Sequence, residues 1–138
     1  MQNVSSGGSA ISSFVNSDGK QNIGDGGLAT NTLVNSGGTV FVAAGGVATD
    51  VDQKSGAALK TSTDATVTGT NAGGSFSVSK GAATNVLLEN GGLLDVLNSG
   101  SATSTTVASG GIQNVNDGGS ATSTTVSDGG VENINSGG

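Results

Sequence analysis

The sequence predicts an all-β solenoid, in which short strands follow one another around a stack of parallel coils. Three observations predict this fold class. Glycine pairs recur at gaps that are mostly 8 or 11 residues, which together make a period of 19. An aliphatic residue stands three positions before most of these pairs. No segment has the apolar spacing of a helix, so we expect no helices. A fixed repeat of this length is typical of stacked coils.

The first aliphatic position of the repeat forms a column when the chain is laid out on this period. Successive members are 17 to 19 residues apart, which gives seven coils. We expect these side chains to share one interior, each lying on its counterpart in the next coil. The column is Val4, Ile23, Val42, Thr61, Val78, Val96, Val115 and Ile134.

A second aliphatic column defines the longer arm of each coil. It lapses from about Gln53 to Ala72, where the first column is also irregular. Between the columns lie short segments rich in β-branched residues, which favour strands. Each glycine pair would mark a corner, since glycine reaches positive φ without strain. The second column is Val15, Val34 and Gln53, followed by Leu88, Val107 and Val126.

The length of 138 residues fits one domain, and we expect a single β-solenoid domain over residues 1–138 with an irregular coil around 53–83. The chain begins and ends inside the repeat, so we expect a fragment of a longer array. Seven steps at the strand spacing would give a rod of about 34 Å. Because the inner residues are small, the core should be narrow.

The composition excludes several classes of function. The chain has no Cys, His, Tyr or Arg, so it offers no soft or imidazole ligand for zinc and no usual nucleophile-base pair. We expect no cofactor, no metal and no catalysis. The net charge of −6 argues against nucleic acid and anionic membranes as partners. No apolar stretch is long enough for a membrane span, and no signal peptide is expected in this segment.

Polar columns are predicted on the outside of the solenoid. Their main expected role is to keep the surface solvated and to add hydrogen bonds along the rod. A row of such side chains could also meet the same row of a second rod. One column is Asn3, Asn22, Phe41, Ser77, Asp95, Asn114 and Asn133. The column that we take as the candidate self-association face is Ser12, Asn31, Asp50, Asn85, Ser104 and Ser123.

The repeat units resemble those of a known family. Residues 101–138, with the unit S-A-T-S-T-T-V-A-S-G-G-I-Q-N-V-N-D-G-G, resemble the 19-residue repeats of AIDA-type self-associating autotransporter adhesins. Residues 2–58, which begin Q-N-V-S-S-G-G, resemble the same repeat. The resemblance implies a right-handed parallel β-helix, exposed on the bacterial cell surface after export through the outer membrane by a C-terminal β-barrel. We expect neither that barrel nor a signal peptide in this segment.

The same resemblance implies a function. Passengers of this family mediate autoaggregation, biofilm formation and attachment to host cells, so the implied partners are other copies of the rod and a host surface receptor or glycan. Several are glycoproteins modified on serine by heptosyltransferases. The serines that match such positions are also ordinary turn residues. They are Ser6, Ser17, Ser36, Ser55, Ser109 and Ser136.

The sequence leaves other functions open. The chain could be a purely structural stalk that holds a distal domain away from the cell. A carbohydrate-active β-helix would use the carboxylates of Asp50 and Asp52, which lie near Lys54, although a solvated pair eased by the lysine is the simpler interpretation. Aspartates beside glycine pairs suggest calcium, but the nine-residue calcium repeat is absent. Regular threonine columns leave ice binding as a further alternative.

Overall fold

The computed structural model describes all 138 residues, and its regular elements are all β-strands. Short strands alternate with turns along the whole chain. The strands are β1 Gln2–Val4, β2 Ser9–Val15, β3 Lys20–Ile23, β4 Leu28–Val34, β5 Thr39–Val42, β6 Val47–Gln53, β7 Ala58–Ser62, β8 Thr66–Asn71, β9 Gly74–Ser79, β10 Ala82–Thr84, β11 Leu87–Leu88, β12 Leu93–Val96, β13 Ser101–Thr103, β14 Thr106–Val107, β15 Ile112–Val115, β16 Ser120–Thr122, β17 Thr125–Val126 and β18 Val131–Ile134.

The strands form two main sheets that face each other across the core. The short-arm sheet has seven strands in the order β1-β3-β5-β7-β12-β15-β18. The long-arm sheet has eight strands in the order β16-β13-β10-β9-β8-β6-β4-β2, and a small third sheet contains β11, β14 and β17. Most neighbouring strands are parallel and 19 residues apart, as Ala10, Ala29 and Ala48 show. The predicted all-β solenoid of about seven coils is therefore confirmed.

The core is a narrow column of small aliphatic side chains. Ile23, Val42 and Ala29 are fully buried, and their counterparts in neighbouring coils lie directly above and below them. Each buried aliphatic side chain contributes roughly 1.5–3 kcal/mol, which a single coil could not convert into a stable fold alone. One polar pair spans the core, since the Thr32 hydroxyl donates to Gln21 Oε1 at 3.1 Å, whereas the buried Gln53 Oε1, Thr105 Oγ1 and Gln113 Oε1 have no hydrogen-bond partner. The two arms are thereby joined by both apolar and polar contacts.

One coil departs from the parallel pattern. The chain reverses after Asn71, so β9 runs antiparallel to both β8 and β10. We call β8 and β9 the hairpin. Val78 was expected in the first column, but it pairs instead with Val67 and Ala83 in the long-arm sheet, where it is buried. The expectation was wrong because the reversal moves this strand to the other arm while the sequence spacing stays near 19.

The hairpin also changes the register of the short-arm sheet. Strand β12 lies beside β7 with Leu94 opposite Thr61, so Val96 stands two residues beyond the predicted partner. A shift of two residues preserves which side chains point inward, so the core continues without a break. The predicted polar column is broken at Ser77 for the same reason, since Ser77 belongs to the hairpin, while Asn3, Asn22 and Phe41 align with one another and so do Asp95, Asn114 and Asn133. Asp95 aligns with Ser62, and Phe41 aligns with Lys60.

Candidate functional site

The serines predicted as modification sites all lie on exposed turns. The turns stack because backbone groups bond between coils, as when the Gly37 N–H donates to the Gly56 carbonyl at 2.8 Å. Gly37 has a φ of 78°, and a Cβ on it would lie 2.8 Å from the Ser17 hydroxyl oxygen of the preceding coil. Gly26, Gly56 and Gly129 leave room in the same way for Ser6, Ser36 and Ser109 of the coil before each of them.

The structure divides these serines between two edges of the rod. Ser17, Ser36, Ser55 and Ser109 follow the long arm, whereas Ser6 and Ser136 follow the short arm. On the first edge Ser17, Ser36 and Ser55 belong to three consecutive coils. Adjacent coils are about 4.8 Å apart, so their hydroxyl groups form a closely spaced row. Spatial proximity of this kind is not visible in the linear sequence.

The candidate self-association face lies at a corner of the long arm. All six residues have positive φ, between 56° and 58°, and each interrupts the alternation of its arm, since the residue before it is exposed or half-buried. Asn, Asp and Ser tolerate this left-handed conformation because their short polar side chains can bond locally. The residues form a ridge, which we call the corner column, and not a flat strand face. Within it the Asn31 amide donates to the Ser12 hydroxyl at 3.2 Å.

The hairpin separates the corner column into two groups of three. Ser12, Asn31 and Asp50 lie before it, and the other three lie after it. The Asn85 side chain is engaged by the hairpin, since its Nδ2 donates to the carbonyls of Ser75 at 2.9 Å and Gly73 at 3.2 Å. The structure brings these residues onto one corner, but it does not make them a continuous row.

The two carboxylates considered for catalysis line an open groove beside the hairpin. Asp52 is paired with Lys54 at 2.7 Å, whereas Asp50 belongs to the corner column. The groove has a volume of about 500 Å³ and is also lined by Asn31, Thr68, Thr70 and Ser75. Phe76 forms part of its floor, but only 3% of its surface is exposed, so it offers no free ring face. No three acidic side chains come together to hold a metal ion.

The short-arm sheet presents a feature that the linear pattern did not reveal. Outward-pointing large apolar side chains align across its strands on both sides of Lys60. The sequence did not reveal this alignment because it depends on the two-residue register step between β7 and β12. We call this row the short-arm stripe, and its members are Phe41, Lys60, Leu93, Ile112 and Val131. Beside it, Asn114 donates to Asp95 at 2.7 Å and Asn133 donates to Asn114 at 2.9 Å. The structure contains no helix that is long and apolar enough to cross a membrane.

Comparison with known proteins identifies related repeats. Residues 68–130 match the AIDA family, described as "Adhesin of bacterial autotransporter system, probable stalk". This match confirms the resemblance to AIDA-type passenger repeats. A crystal structure of the TibC-catalyzed hyper-glycosylated TibA55-350 fragment is similar at 29% identity, covering 97% of this chain and 70% of that chain with a TM-score of 0.49. No curated protein matches the sequence.

Proposed function

We propose that this chain is a passenger segment of a bacterial autotransporter adhesin, exposed outside the outer membrane, and that it acts by self-association between rods. The match of residues 68–130 to an adhesin family carries the proposal. Self-association of this kind would produce autoaggregation and biofilm formation. Attachment to a host receptor or glycan would use the same exposed surfaces. The proposed action is binding without catalysis.

The architecture supports this function through repetition. Each outward column contains one side chain from each coil, so the rod presents these side chains at a regular spacing of about 4.8 Å. Individually weak polar contacts between two such rods act together, because the first contact raises the effective concentration of the next ones. The corner column supplies hydroxyl, amide and carboxylate groups in this arrangement. We therefore propose that it takes part in contacts between rods.

Cell display tests the corner column. The triple variant Ser12→Gly, Asn31→Gly, Asp50→Gly removes three side chains while keeping a residue that tolerates positive φ. We expect cells that display it to settle at least about threefold more slowly than cells that display the parent segment, since several weak contacts are lost together. The control Thr30→Ala, Thr49→Ala changes neighbouring residues of the same strands. Equal settling of parent and triple variant would remove the corner column from the proposal.

A structural stalk is the second candidate function. The matching family is described as a probable stalk, and a rod of stacked coils suits such a role. A stalk would carry a distal binding domain without any contact between rods. If cells that display the intact segment at high density do not settle faster than cells without it, self-association is wrong and the stalk remains.

We further propose that the turn serines accept sugars from a heptosyltransferase. The hydroxyl groups of Ser6, Ser17, Ser36, Ser55, Ser109 and Ser136 are exposed and lie on turns. Co-expression with a heptosyltransferase should add mass increments of one heptose each, which peptide mapping places on these turns. Ser17→Ala and Ser36→Ala should each remove one site, whereas Ser77→Ala on the hairpin should remove none. Modification confined to other residues would overturn the assignment.

A further inference from the structure

A small pocket lies on the outer face of the short-arm sheet, at the register step between β7 and β12. Its volume is about 180 Å³. Phe41 and Leu93 line it from one row of outward side chains, and Ser62 and Asp95 line it from the next row. Phe41 is 43% exposed, so this is the one cavity that combines an exposed aromatic ring with a carboxylate.

The register step places the carboxylate in this pocket. With the first column in unbroken register, Asp95 would lie opposite Lys60, where the two charges could pair. The observed register sets Asp95 opposite Ser62 instead. Ala43 and Ala44 of the adjoining turn also line the pocket, and their small side chains leave its space unfilled. The pocket therefore occurs once in the rod, at the place where the repeat is broken.

The polar groups of the pocket retain capacity for a ligand. Asp95 accepts one hydrogen bond through Oδ1, from the Asn114 amide at 2.7 Å, and its Oδ2 accepts none. The one ion pair of the protein joins Asp52 and Lys54, so no cation neutralises Asp95. A serine hydroxyl such as that of Ser62 can both donate and accept. A hydroxylated ligand would find an ionised acceptor and a hydroxyl partner here.

We propose that this pocket binds one ring of a neutral hexopyranoside. This inference rests on the proposed attachment to a glycan and names a site for it. The Phe41 ring packs on a C–H face of the sugar, because the face of an aromatic ring is electronegative. Asp95 accepts a sugar hydroxyl in a charge-assisted hydrogen bond, and Ser62 bonds a second one. Apolar walls with a few placed polar groups are usual in small-molecule sites.

The surrounding charges favour a neutral sugar over an ionised ligand. An anionic sugar would be repelled by Asp95 and by the net charge of −6. A primary amine would meet the ammonium of Lys60, which lies between Phe41 and Leu93 in the same row. The volume suits a single ring, so one contact is weak, and many rods on one cell would make attachment firm.

Titration of the segment, followed by its amide chemical shifts, tests the pocket. The neutral probes are methyl β-D-galactopyranoside and methyl β-D-glucopyranoside, and the charged probes are methyl β-D-glucuronide and butylamine. We expect a neutral probe to bind with a millimolar dissociation constant and to shift the amides of Phe41, Ser62 and Asp95 most. Both charged probes should bind at least about tenfold more weakly. If neither neutral probe shifts these amides, or if butylamine binds as well, the proposal is wrong.

Substitutions assign the binding to the pocket. Phe41→Ala removes the ring face, and Asp95→Asn removes the charge while keeping an acceptor for Asn114, so each should weaken binding about tenfold. Phe14→Ala is the matched control for the ring, since Phe14 is 72% exposed and lines a cavity without a carboxylate. Asp128→Asn removes the same charge from a distant turn, and we expect parent affinity from both controls. Unchanged affinity in both pocket variants, or equal losses in the controls, would overturn the assignment.

Cell settling separates this inference from the function beneath it. If the segment binds neither saccharide while displaying cells still settle, the pocket assignment is wrong and self-association stands. If the segment binds a saccharide through Phe41 and Asp95 but displaying cells do not settle, self-association is wrong and the pocket stands.

Discussion

At the residue scale, the two glycines of a turn pair have different physical tasks. In the stacked turns the first has positive φ, as at Gly91 with 89°, where no atom beyond the adjacent residues lies within 4 Å of the place a Cβ would take. The second has an ordinary backbone conformation, but its neighbour in the previous coil is very close. At Gly111 a Cβ would lie 2.6 Å from the carbonyl carbon of Leu88. Gly91 is therefore required by conformation alone, whereas Gly111 is required by the stacking of coils.

Alanine substitution should distinguish these two tasks. Gly91→Ala should lower the free energy of unfolding by about 1–2 kcal/mol, the cost of a left-handed non-glycine residue. Gly111→Ala should lower it by about 3 kcal/mol, because backbone atoms of two coils would have to separate. Urea denaturation followed by circular dichroism measures both. A larger loss from Gly91→Ala would contradict the assignment of tasks.

Buried polar pairs are a second device at this scale. Gln21 is fully buried, accepts a hydrogen bond from Thr32 and donates to Gln2 Oε1 at 2.7 Å. Gln113 occupies the corresponding place near the other end of the rod and donates to Thr124 and Glu132. Such a pair contributes little net free energy of folding, but removing one member leaves the other buried without a hydrogen bond, which destabilises the protein.

Gln21→Leu should therefore destabilise the protein by about 1–3 kcal/mol, because the Thr32 hydroxyl would lose its acceptor in a dry interior. Adding Thr32→Val should recover most of the loss, since both polar groups are then gone. Thermal unfolding of the single and double variants gives the comparison. If the double variant is less stable than the single one, the pairing across the core does not have this role.

At the scale of elements, the hairpin is the part of the molecule that breaks the repeat. It is attached by side-chain amides, since Asn71 donates to the Asn85 carbonyl at 2.9 Å and Asn85 donates to two hairpin carbonyls. Val67 and Phe76 bury its inner side against the core. The hairpin also imposes the two-residue register step, which brings Lys60 beside Leu93.

Replacing Asn85 by glycine should loosen the hairpin without backbone strain, because glycine accepts the φ of 56° at this position. Two hydrogen bonds are lost, so we expect about 2 kcal/mol of destabilisation and faster amide exchange over residues 66–79. Ser104→Gly is the matched control, with a φ of 57° in the same corner column and no hairpin contact. Equal effects of the two substitutions would show that the Asn85 amide does not hold the hairpin.

At the scale of the whole molecule, net charge and local complementarity act against each other. Each segment carries a net charge of −6, which opposes the approach of a second rod, while the contacts proposed between rods favour it. The repulsion extends over the length of the rod, whereas the attraction acts only at contact. Raising the ionic strength separates the two effects, since it weakens the long-range repulsion more than the attraction at contact.

Association should therefore rise when sodium chloride increases from about 0.01 M to about 0.15 M, because the Debye length falls from about 30 Å to about 8 Å. Turbidity of beads coated with the segment measures this. Lys80→Glu makes the net charge more negative without touching the short-arm sheet, so its curve should move to higher salt. A steady decrease of association over this range would contradict the balance of charges proposed here.

The sequence alone determined the all-β solenoid, the period of 19 and the positions of the turns, because each depends on local chemistry that repeats at a fixed distance. Glycine pairs predicted the turns, and Val15 with Val34 and Leu88 with Val107 predicted stacked neighbours that the structure contains. The tertiary structure alone decided the place of Val78 and Ser77, the register step at Thr61 and Leu94, and the alignment of the short-arm stripe. The physical reason is that a chain reversal and a two-residue shift both keep the alternation of inward and outward side chains, so the linear pattern is the same with or without them.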